Sequence, residues 1–168
     1  EGINIERSIL KIESRGREMV GAISDREYTE KMLASKTLKP EQLQSVLAIT
    51  TTTNRFMSAH GYAGTGKSYM TVSAKEVIES QGYTVKALAP YGTQKKSLEE
   101  EGLSAQTVAA FLKSKDKKLD EKTVVFIDEA GVIPAKQMKA LMTVIEESGS
   151  RAVFLGDTSQ TKAVEAGK

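Results

Sequence analysis

Gly61-Tyr62-Ala63-Gly64-Thr65-Gly66-Lys67-Ser68 is the stretch of sequence that decides the fold. It has the phosphate-binding pattern of a glycine, four residues and then Gly-Lys-Ser, and it lies between a candidate strand and a candidate helix. Inward-facing backbone N–H groups and a helix N-terminus attract anions, Lys67 can reach outer phosphates, and Ser68 can ligate Mg²⁺. The stretch therefore predicts a nucleotide site, the alternative being a glycine-rich turn before a helix.

A second motif is the hydrophobic strand Val124–Ile127, which is followed by Asp128 and Glu129. We expect this strand to be a neighbour of the phosphate-binding loop. Asp128 would then hold Mg²⁺ through its water shell, and Glu129 would orient and deprotonate the water that attacks the γ-phosphate. A strand-terminal Asp-Glu pair taken alone is more simply a solvated strand end, but together with the upstream loop it predicts hydrolysis.

A third motif, Ala152–Leu155 followed by Gly156-Asp157-Thr158-Ser159-Gln160, again places polar groups after a buried strand. Ligands of open α/β sheets bind at the carboxyl ends of the strands. Gln160 can both donate and accept hydrogen bonds, so we expect it to sense the γ-phosphate. In the alternative reading, Asp157 caps the next turn and Gln160 faces water.

Short apolar runs alternate with helical patterns from Arg55 onward, which is typical of an α/β fold with a mostly parallel sheet flanked by helices. The predicted strands are 56–59, 85–89, 124–127 and 152–155, and the predicted helices are 67–80, 94–101, 107–113 and 135–147. Residues 114–122 read as an exposed connection. We expect residues 1–53 to form a helical segment and residues 54–168 to form the nucleotide-binding domain.

The helical segment contains three predicted helices. The first runs from Ile3 to Ala22 with a break near Gly16, because its apolar residues recur at helical spacing. The second runs from a cap at Ser24, paired with Glu27, to about Ser35. The third runs from Pro40 to Thr50.

The amino-acid composition excludes several classes of functional site. The 168 residues are 39% apolar and 27% charged, with a net charge of +2, no cysteine and one histidine, His60. Disulfide scaffolds, thiolate zinc sites and metal sites built from several histidines are therefore excluded. The sequence has neither a run of about 18–20 apolar residues nor a signal-peptide layout. We expect a cytoplasmic protein without membrane insertion.

The order of the three motifs resembles that of the first RecA-like domain of superfamily-1 helicases. Leu88–Gln94, Ser104–Leu112 and Gly156–Gly167 are similar to the helicase part of conjugative relaxase–helicases of the TraI and TrwC type, relatives of RecD. The resemblance extends from about Leu38 to Lys168. It implies a RecA-like P-loop fold that binds ATP and Mg²⁺.

The resemblance also implies roles for individual residues. Gln42, in Leu38–Gln42, would recognise adenine, the alternative being an exposed helix residue. The nucleotide would be bound by Gln42, Gly61, Tyr62, Ala63, Gly64, Thr65, Gly66, Lys67 and Ser68. The metal residues would be Ser68 and Asp128, and the catalytic residues Lys67, Glu129 and Gln160.

DNA-contacting motifs of the family match Pro90, Tyr91 and Gly92, and also the segment from Thr107 to Phe111. Tyr91 would stack on a base or donate its hydroxyl to a phosphate, the alternative being that it packs over the sheet edge. We expect Phe111 to be a core residue. The lysines at 113, 115, 117 and 118 are interpreted as a solvated loop.

The resemblance implies that ATP hydrolysis drives movement along single-stranded DNA, in plasmid conjugation. A helicase of this type also needs a second RecA-like domain, and we expect a relaxase domain in the same polypeptide and contact with the conjugation machinery. We therefore expect the sequence to be a piece of a longer protein, with little turnover by itself. The alternative is a non-catalytic RecA-like module that recruits DNA or protein. A P-loop kinase or GTPase would not need Gly-Asp-x-x-Gln on a later strand.

Overall fold

The computed structural model describes residues 2–59 and 65–156. In chain order, the helices and strands are α1 Gly2–Arg15, α2 Arg26–Met32, α3 Pro40–Thr51, β1 Phe56–Ser58, α4 Thr65–Ser80, β2 Thr84–Ala89, α5 Gly92–Glu100, β3 Ala105–Thr107, α6 Val108–Lys113, β4 Thr123–Ile127, a 3₁₀ turn Ala130–Val132, α7 Ala135–Ser148 and β5 Arg151–Phe154. In that part of the chain, no helix is both long and apolar enough to span a bilayer. The alternation of helices and strands along the chain confirms the predicted α/β class.

Within residues 2–59 and 65–156, the sheet has five strands in the order β1-β5-β4-β2-β3, and every pair is parallel. The four predicted strands are confirmed. β3 was not predicted, because its three residues, Ala-Gln-Thr, are half-buried and form no apolar run. It pairs with the end of β2, where Ala89 lies opposite Thr107.

The position of β4 corrects one expectation. β4 is not the neighbour of β1, because β5 lies between them and pairs with both. Parallel strands all end at the same edge of a sheet, so residues after β1 and residues after β4 still converge there. Asp128 and Glu129 therefore reach the start of α4 across one intervening strand.

The core consists of two hydrophobic clusters, one on each face of the sheet. Along β4, Val124 and Phe126 point to the face covered by α4, whereas Val125 and Ile127 point to the face covered by α7. This alternation is the period of two expected of a strand, and burial on both faces is typical of parallel sheets. All five residues of β4 are buried.

The N-terminal helices contribute to both clusters. Ile9 and Ile12 of α1 belong to the cluster on the α7 face, and Val46 and Ile49 of α3 belong to the cluster on the α4 face. The helices of residues 1–53 therefore share hydrophobic clusters with the sheet. The division between 1–53 and 54–168 stays a prediction.

Two details of the N-terminal helices differ from the sequence-based expectation. α1 ends at Arg15 and does not resume after the predicted break at Gly16, where the chain passes so close to β1 that a Cβ would lie 3.0 Å from the Phe56 ring. α2 is capped by Asp25, which accepts a hydrogen bond from the Tyr28 N–H at 2.7 Å. Ser24 instead points inward and lies 2.6 Å from the Thr29 hydroxyl.

Candidate functional site

The described part of the candidate site lies where the strands end. α4 begins at Thr65, so Gly66, Lys67 and Ser68 occupy its first turn. Asp128 and Glu129 directly follow β4. The predicted site residues Gly61, Tyr62, Ala63, Gly64 and Gln160 lie outside the described residues, as does Asp157.

Lys67 joins α4 to the two carboxylates that follow β4. Its Nζ donates to Asp128 Oδ1 at 2.6 Å and lies 3.7 Å from Glu129 Oε1. The side chain of Asp128 is 7% exposed, that of Lys67 20% and that of Glu129 42%. The buried carboxylate is thus neutralised by the lysine, and the exposed one faces solvent at the same edge.

The backbone holds Asp128 and Glu129 in place. The Asp128 N–H donates to the Leu88 carbonyl at 2.8 Å, which continues the pairing of β4 with β2 by one residue. On the other side, the Ala130 N–H donates to the Leu155 carbonyl at 3.0 Å. The two carboxylates are therefore fixed from both neighbouring strands.

Glu129 has an unusual backbone conformation, with φ 48° and ψ 45°. A left-handed conformation is uncommon for residues other than glycine, and such strain is concentrated at functional sites. Gly156, at φ 123°, passes so close that a Cβ there would lie 3.3 Å from Glu129 Cα. The end of β5 and the turn at Glu129 therefore fit together only because residue 156 is a glycine.

Ser68 has a partner that the sequence analysis missed. Its Oγ donates to Glu101 Oε2 at 2.7 Å, and Glu101 is the residue that ends α5. Because the hydroxyl hydrogen is directed to Glu101, the lone pairs of Oγ are free for another ligand. Glu101 follows two other glutamates in the sequence, and nothing local distinguishes it from a solvated helix end.

Gln42 is held against the first turn of α4. Its Nε2 donates to the Gly66 carbonyl at 2.9 Å, and its Oε1 accepts from the Lys39 N–H at 2.7 Å. The residue is 4% exposed, so the alternative of an exposed helix residue is wrong. A primary amide has two N–H groups and two oxygen lone pairs, so each end retains one further hydrogen-bonding position.

The candidate DNA contacts lie at the same edge of the sheet. Pro90, Tyr91 and Gly92 follow β2, and Thr107 ends the adjacent β3. Tyr91 is 61% exposed, which argues against its packing over the sheet edge. Thr107 Oγ1 accepts from the Ala110 N–H at 3.2 Å and so caps α6, a role that the sequence analysis did not assign. Phe111 is 1% exposed, as expected of a core residue.

The lysine-rich connection after α6 is only partly exposed to solvent. Lys113, Lys115 and Lys118 are exposed, whereas Lys117 donates to the Ser114 carbonyl at 2.6 Å and lies over the Phe111 ring. The Lys86 ammonium donates to the Lys117 carbonyl at 2.8 Å. Burial lowers the pKa of Lys86, and the charge of Lys118 lowers it further. The connection is thus tied to β2 and is not simply solvated.

Comparison with known proteins supports the motif-based interpretation. Residues 37–168 match the family described as AAA domain. The conjugal transfer protein TraA of Rhizobium radiobacter is 36% identical over 117 residues, which are 67% of this chain and 11% of that protein. TraA of Agrobacterium fabrum is 34% identical over 118 residues, with the same coverage of 67% and 11%.

The multifunctional conjugation protein TraI of Escherichia coli K12 is similar over nearly the whole chain. It is 30% identical over an alignment of 176 positions, which covers 97% of this chain and 10% of TraI. The chain therefore spans about a tenth of the length of these relatives. The resemblance to conjugative relaxase–helicases is confirmed.

Proposed function

Because the chain belongs to the AAA domain family, we propose that it is the ATP-binding first motor domain of a DNA helicase that acts in plasmid conjugation. The observation that carries this proposal is the 2.6 Å contact between Lys67 and Asp128. It brings the helix that follows the glycine-rich loop against the acidic strand end. Phosphate-binding and metal-binding groups then lie within one side-chain length of each other.

The nucleotide would lie along the first turn of α4. The loop Gly61–Gly64 and the backbone of Thr65 and Gly66 would surround the phosphates, and Lys67 would contact the outer ones. Gln42 would read adenine with the donor and acceptor positions that its contacts to Gly66 and Lys39 leave over. Because Gln42 is hydrogen-bonded to Gly66, it would hold the base at a fixed position relative to the phosphates.

A magnesium ion fits the donor set of the site. Hard oxygen ligands, typically one or two carboxylates together with substrate phosphates, are what Mg²⁺ prefers. Ser68 would supply a hydroxyl oxygen, Asp128 would hold the ion through its water shell, and the ion would neutralise charge on the phosphates. Glu101 would orient the Ser68 hydroxyl by accepting its hydrogen, because outer groups of this kind fix the ligands of a metal.

Hydrolysis would depend on Glu129 and Gln160. The Glu129 carboxylate, 42% exposed beside Lys67, would accept the proton of the attacking water. Gln160 would sense the γ-phosphate. It follows β5, and the β5 end is in direct backbone contact with the turn at Glu129.

Single-stranded DNA would cross the edge formed by the ends of β2 and β3. Tyr91 presents an exposed ring there, and base–aromatic stacking suits binding without sequence preference. Pro90, Gly92 and Thr107 would line the same path.

The proposal also includes a second RecA-like domain and a relaxase domain of the same polypeptide, and contact with the conjugation machinery. An arginine supplied by the second domain would raise turnover by about 10³–10⁵-fold, so the isolated chain should turn over slowly.

Calorimetric titration of the chain with ATP tests this function. We expect tighter binding with Mg²⁺ than with EDTA, and tighter binding of ATP than of GTP. Asp128→Asn should reduce the gain in ATP affinity that Mg²⁺ provides by about 10–100-fold. The ATP affinity in EDTA should change little. Asp116→Asn, in the exposed lysine-rich connection, is the matched control.

Absence of ATP binding at millimolar concentration would contradict the proposal and favour a non-catalytic recruitment module. An identical Mg²⁺ dependence in Asp128→Asn and the wild type would remove the metal role of Asp128. Both results can be read from the same set of titrations.

For DNA binding, we expect Tyr91→Leu to weaken the affinity for a single-stranded oligonucleotide by about five- to tenfold. The change removes one stacking surface of the kind that contributes about 1–3 kcal/mol per base. Fluorescence anisotropy with a labelled oligonucleotide measures the effect. Tyr69→Leu on α4, where the wild-type ring is 36% exposed, is a matched control and should change little. Equal affinities for Tyr91→Leu and the wild type would exclude stacking by Tyr91.

A further inference from the structure

A second cationic site lies at the opposite edge of the sheet, where the strands begin. A cavity of about 310 Å³ is bordered by three cationic residues, Arg55, Lys122 and Arg151, and by one carboxylate residue, Glu121. Arg55 precedes β1, Lys122 precedes β4 and Arg151 begins β5. Because all strands are parallel, this cavity and the candidate nucleotide site lie at opposite ends of the strands.

Arg151 is the unusual group in this cavity. It is 4% exposed, and its Nε and Nη1 are buried without a hydrogen-bond partner among the described residues. Its guanidinium lies 5.3 Å from the centre of the Tyr83 ring, and Lys122 Nζ lies 4.4 Å from the same ring. Among the described residues, this cation thus has an aromatic face but no carboxylate partner.

An unpaired buried cation is costly, because burial removes water that nothing replaces. Burial lowers the pKa of Arg151; Tyr83 raises it and the positive charge of Arg55 lowers it. Arg55 cannot neutralise the charge of Arg151, because it is itself a cation. Its Nε already donates to the Ser150 carbonyl at 2.9 Å. The missing partner is therefore an anion.

We propose that this cavity binds a small phosphate-bearing ligand, with Arg151 as its principal contact and Lys122 and Arg55 as supporting charges. A guanidinium matches the geometry of phosphate oxygens, and three cations against one carboxylate favour a multiply charged anion. The cavity has the volume of the smaller small-molecule sites. A DNA strand fits less well, because both Arg151 and Lys122 already lie over Tyr83, so its ring is not free to stack on a base.

The test uses inorganic pyrophosphate as the probe, in EDTA and at constant ionic strength. All variants carry Lys67→Ala, so that the candidate nucleotide site contributes as little as possible to phosphate binding. We expect the Lys67→Ala chain to bind pyrophosphate in a calorimetric titration, and Arg151→Met to weaken that binding by about tenfold or more, as loss of charge-assisted hydrogen bonds requires. Arg7→Met, an exposed arginine of α1 that does not line the cavity, should leave the affinity unchanged.

Thermal unfolding without phosphate adds an independent readout. Removal of an unpaired buried charge should leave Arg151→Met at least as stable as its parent, with a smaller shift on addition of pyrophosphate. Should Arg151→Met fail to fold, Lys122→Gln, a change at an exposed position, decides the matter by a loss of affinity of about threefold or more.

Three results would overturn the proposal. The first is no pyrophosphate binding by the Lys67→Ala chain at 10 mM, and the second is unchanged affinity in the folded Arg151→Met chain or, failing that, in Lys122→Gln. The third is that the chain binds a single-stranded oligonucleotide through Arg151 but does not bind pyrophosphate. None of these results bears on ATP binding at the other edge of the sheet.

Discussion

Glu129→Gln should lower ATP turnover by about 10²–10⁴-fold, in a polypeptide that joins this sequence to a second RecA-like domain, while ATP affinity changes by less than about threefold. Glutamine keeps the size of the side chain but cannot take a proton from water. Proton transfer by a positioned carboxylate is the contribution that the substitution removes. The proposed phosphate and metal contacts, Lys67, Ser68 and Asp128, are unchanged, so binding should persist.

The structure gives two reasons to assign the base to Glu129 and not to Asp128. The Asp128 side chain is 7% exposed and paired with Lys67 at 2.6 Å, so it is already engaged. The Glu129 side chain is 42% exposed, and its backbone is held in a left-handed conformation that points to a functional constraint. An exposed carboxylate at the strand end can reach a water molecule.

The experiment compares steady-state turnover, with and without single-stranded DNA, against ATP affinity measured by titration. Glu100→Gln is the matched control, since this glutamate of α5 is exposed and makes none of the described site contacts. Loss of binding together with turnover would indicate a structural role for Glu129. Turnover equal to that of the wild type would show that another group is the base.

Lys67→Ala should weaken the affinity of the chain for ATP by about 10²-fold. Hydrogen bonds to charged groups contribute about 1.5–3 kcal/mol, and Lys67 is the only charged donor in the described first turn of α4. The same change leaves Asp128 buried without its partner, so we also expect the free energy of unfolding to fall by about 1–3 kcal/mol. One substitution therefore has two measurable effects.

Lys75→Ala separates these effects from a general loss of helix stability. Lys75 belongs to the same helix and pairs with Glu79 at 3.0 Å at the surface, where such pairs contribute little. Titration gives the affinities and urea unfolding gives the stabilities. Adding Asp128→Asn to Lys67→Ala should restore part of the stability but not the ATP affinity; ATP affinity equal to the wild type in Lys67→Ala would exclude a phosphate contact.

The sequence analysis predicted the fold where apolar runs were long enough to define buried strands. β4, with five buried residues, is such a run, and so are β1, β2 and β5. β3 escaped prediction because an edge strand of three half-buried residues has no periodicity to read. The order of strands is a long-range property, so the insertion of β5 between β1 and β4 could not be read from local pattern.

The candidate site shows the same limit. Lys67, Ser68, Asp128 and Glu129 were predicted because their spacing is a local signature. Glu101 was not, because its contact with Ser68 joins the end of α5 to the start of α4. Arg151, which directly precedes the predicted strand 152–155, was likewise not singled out. Chemistry that depends on two distant segments becomes visible only once the chain is folded.

The ion pair between Lys67 and Asp128 has a thermodynamic consequence. Each partner is the proposed ligand of a different species, the ammonium for an anion and the carboxylate for a divalent cation. A phosphate that attracts the ammonium leaves an uncompensated negative charge next to it, and that charge favours the cation. By reciprocity, Mg²⁺ must raise nucleotide affinity by the same factor by which nucleotide raises Mg²⁺ affinity. The lysine would thereby couple the two proposed binding events through a shared contact.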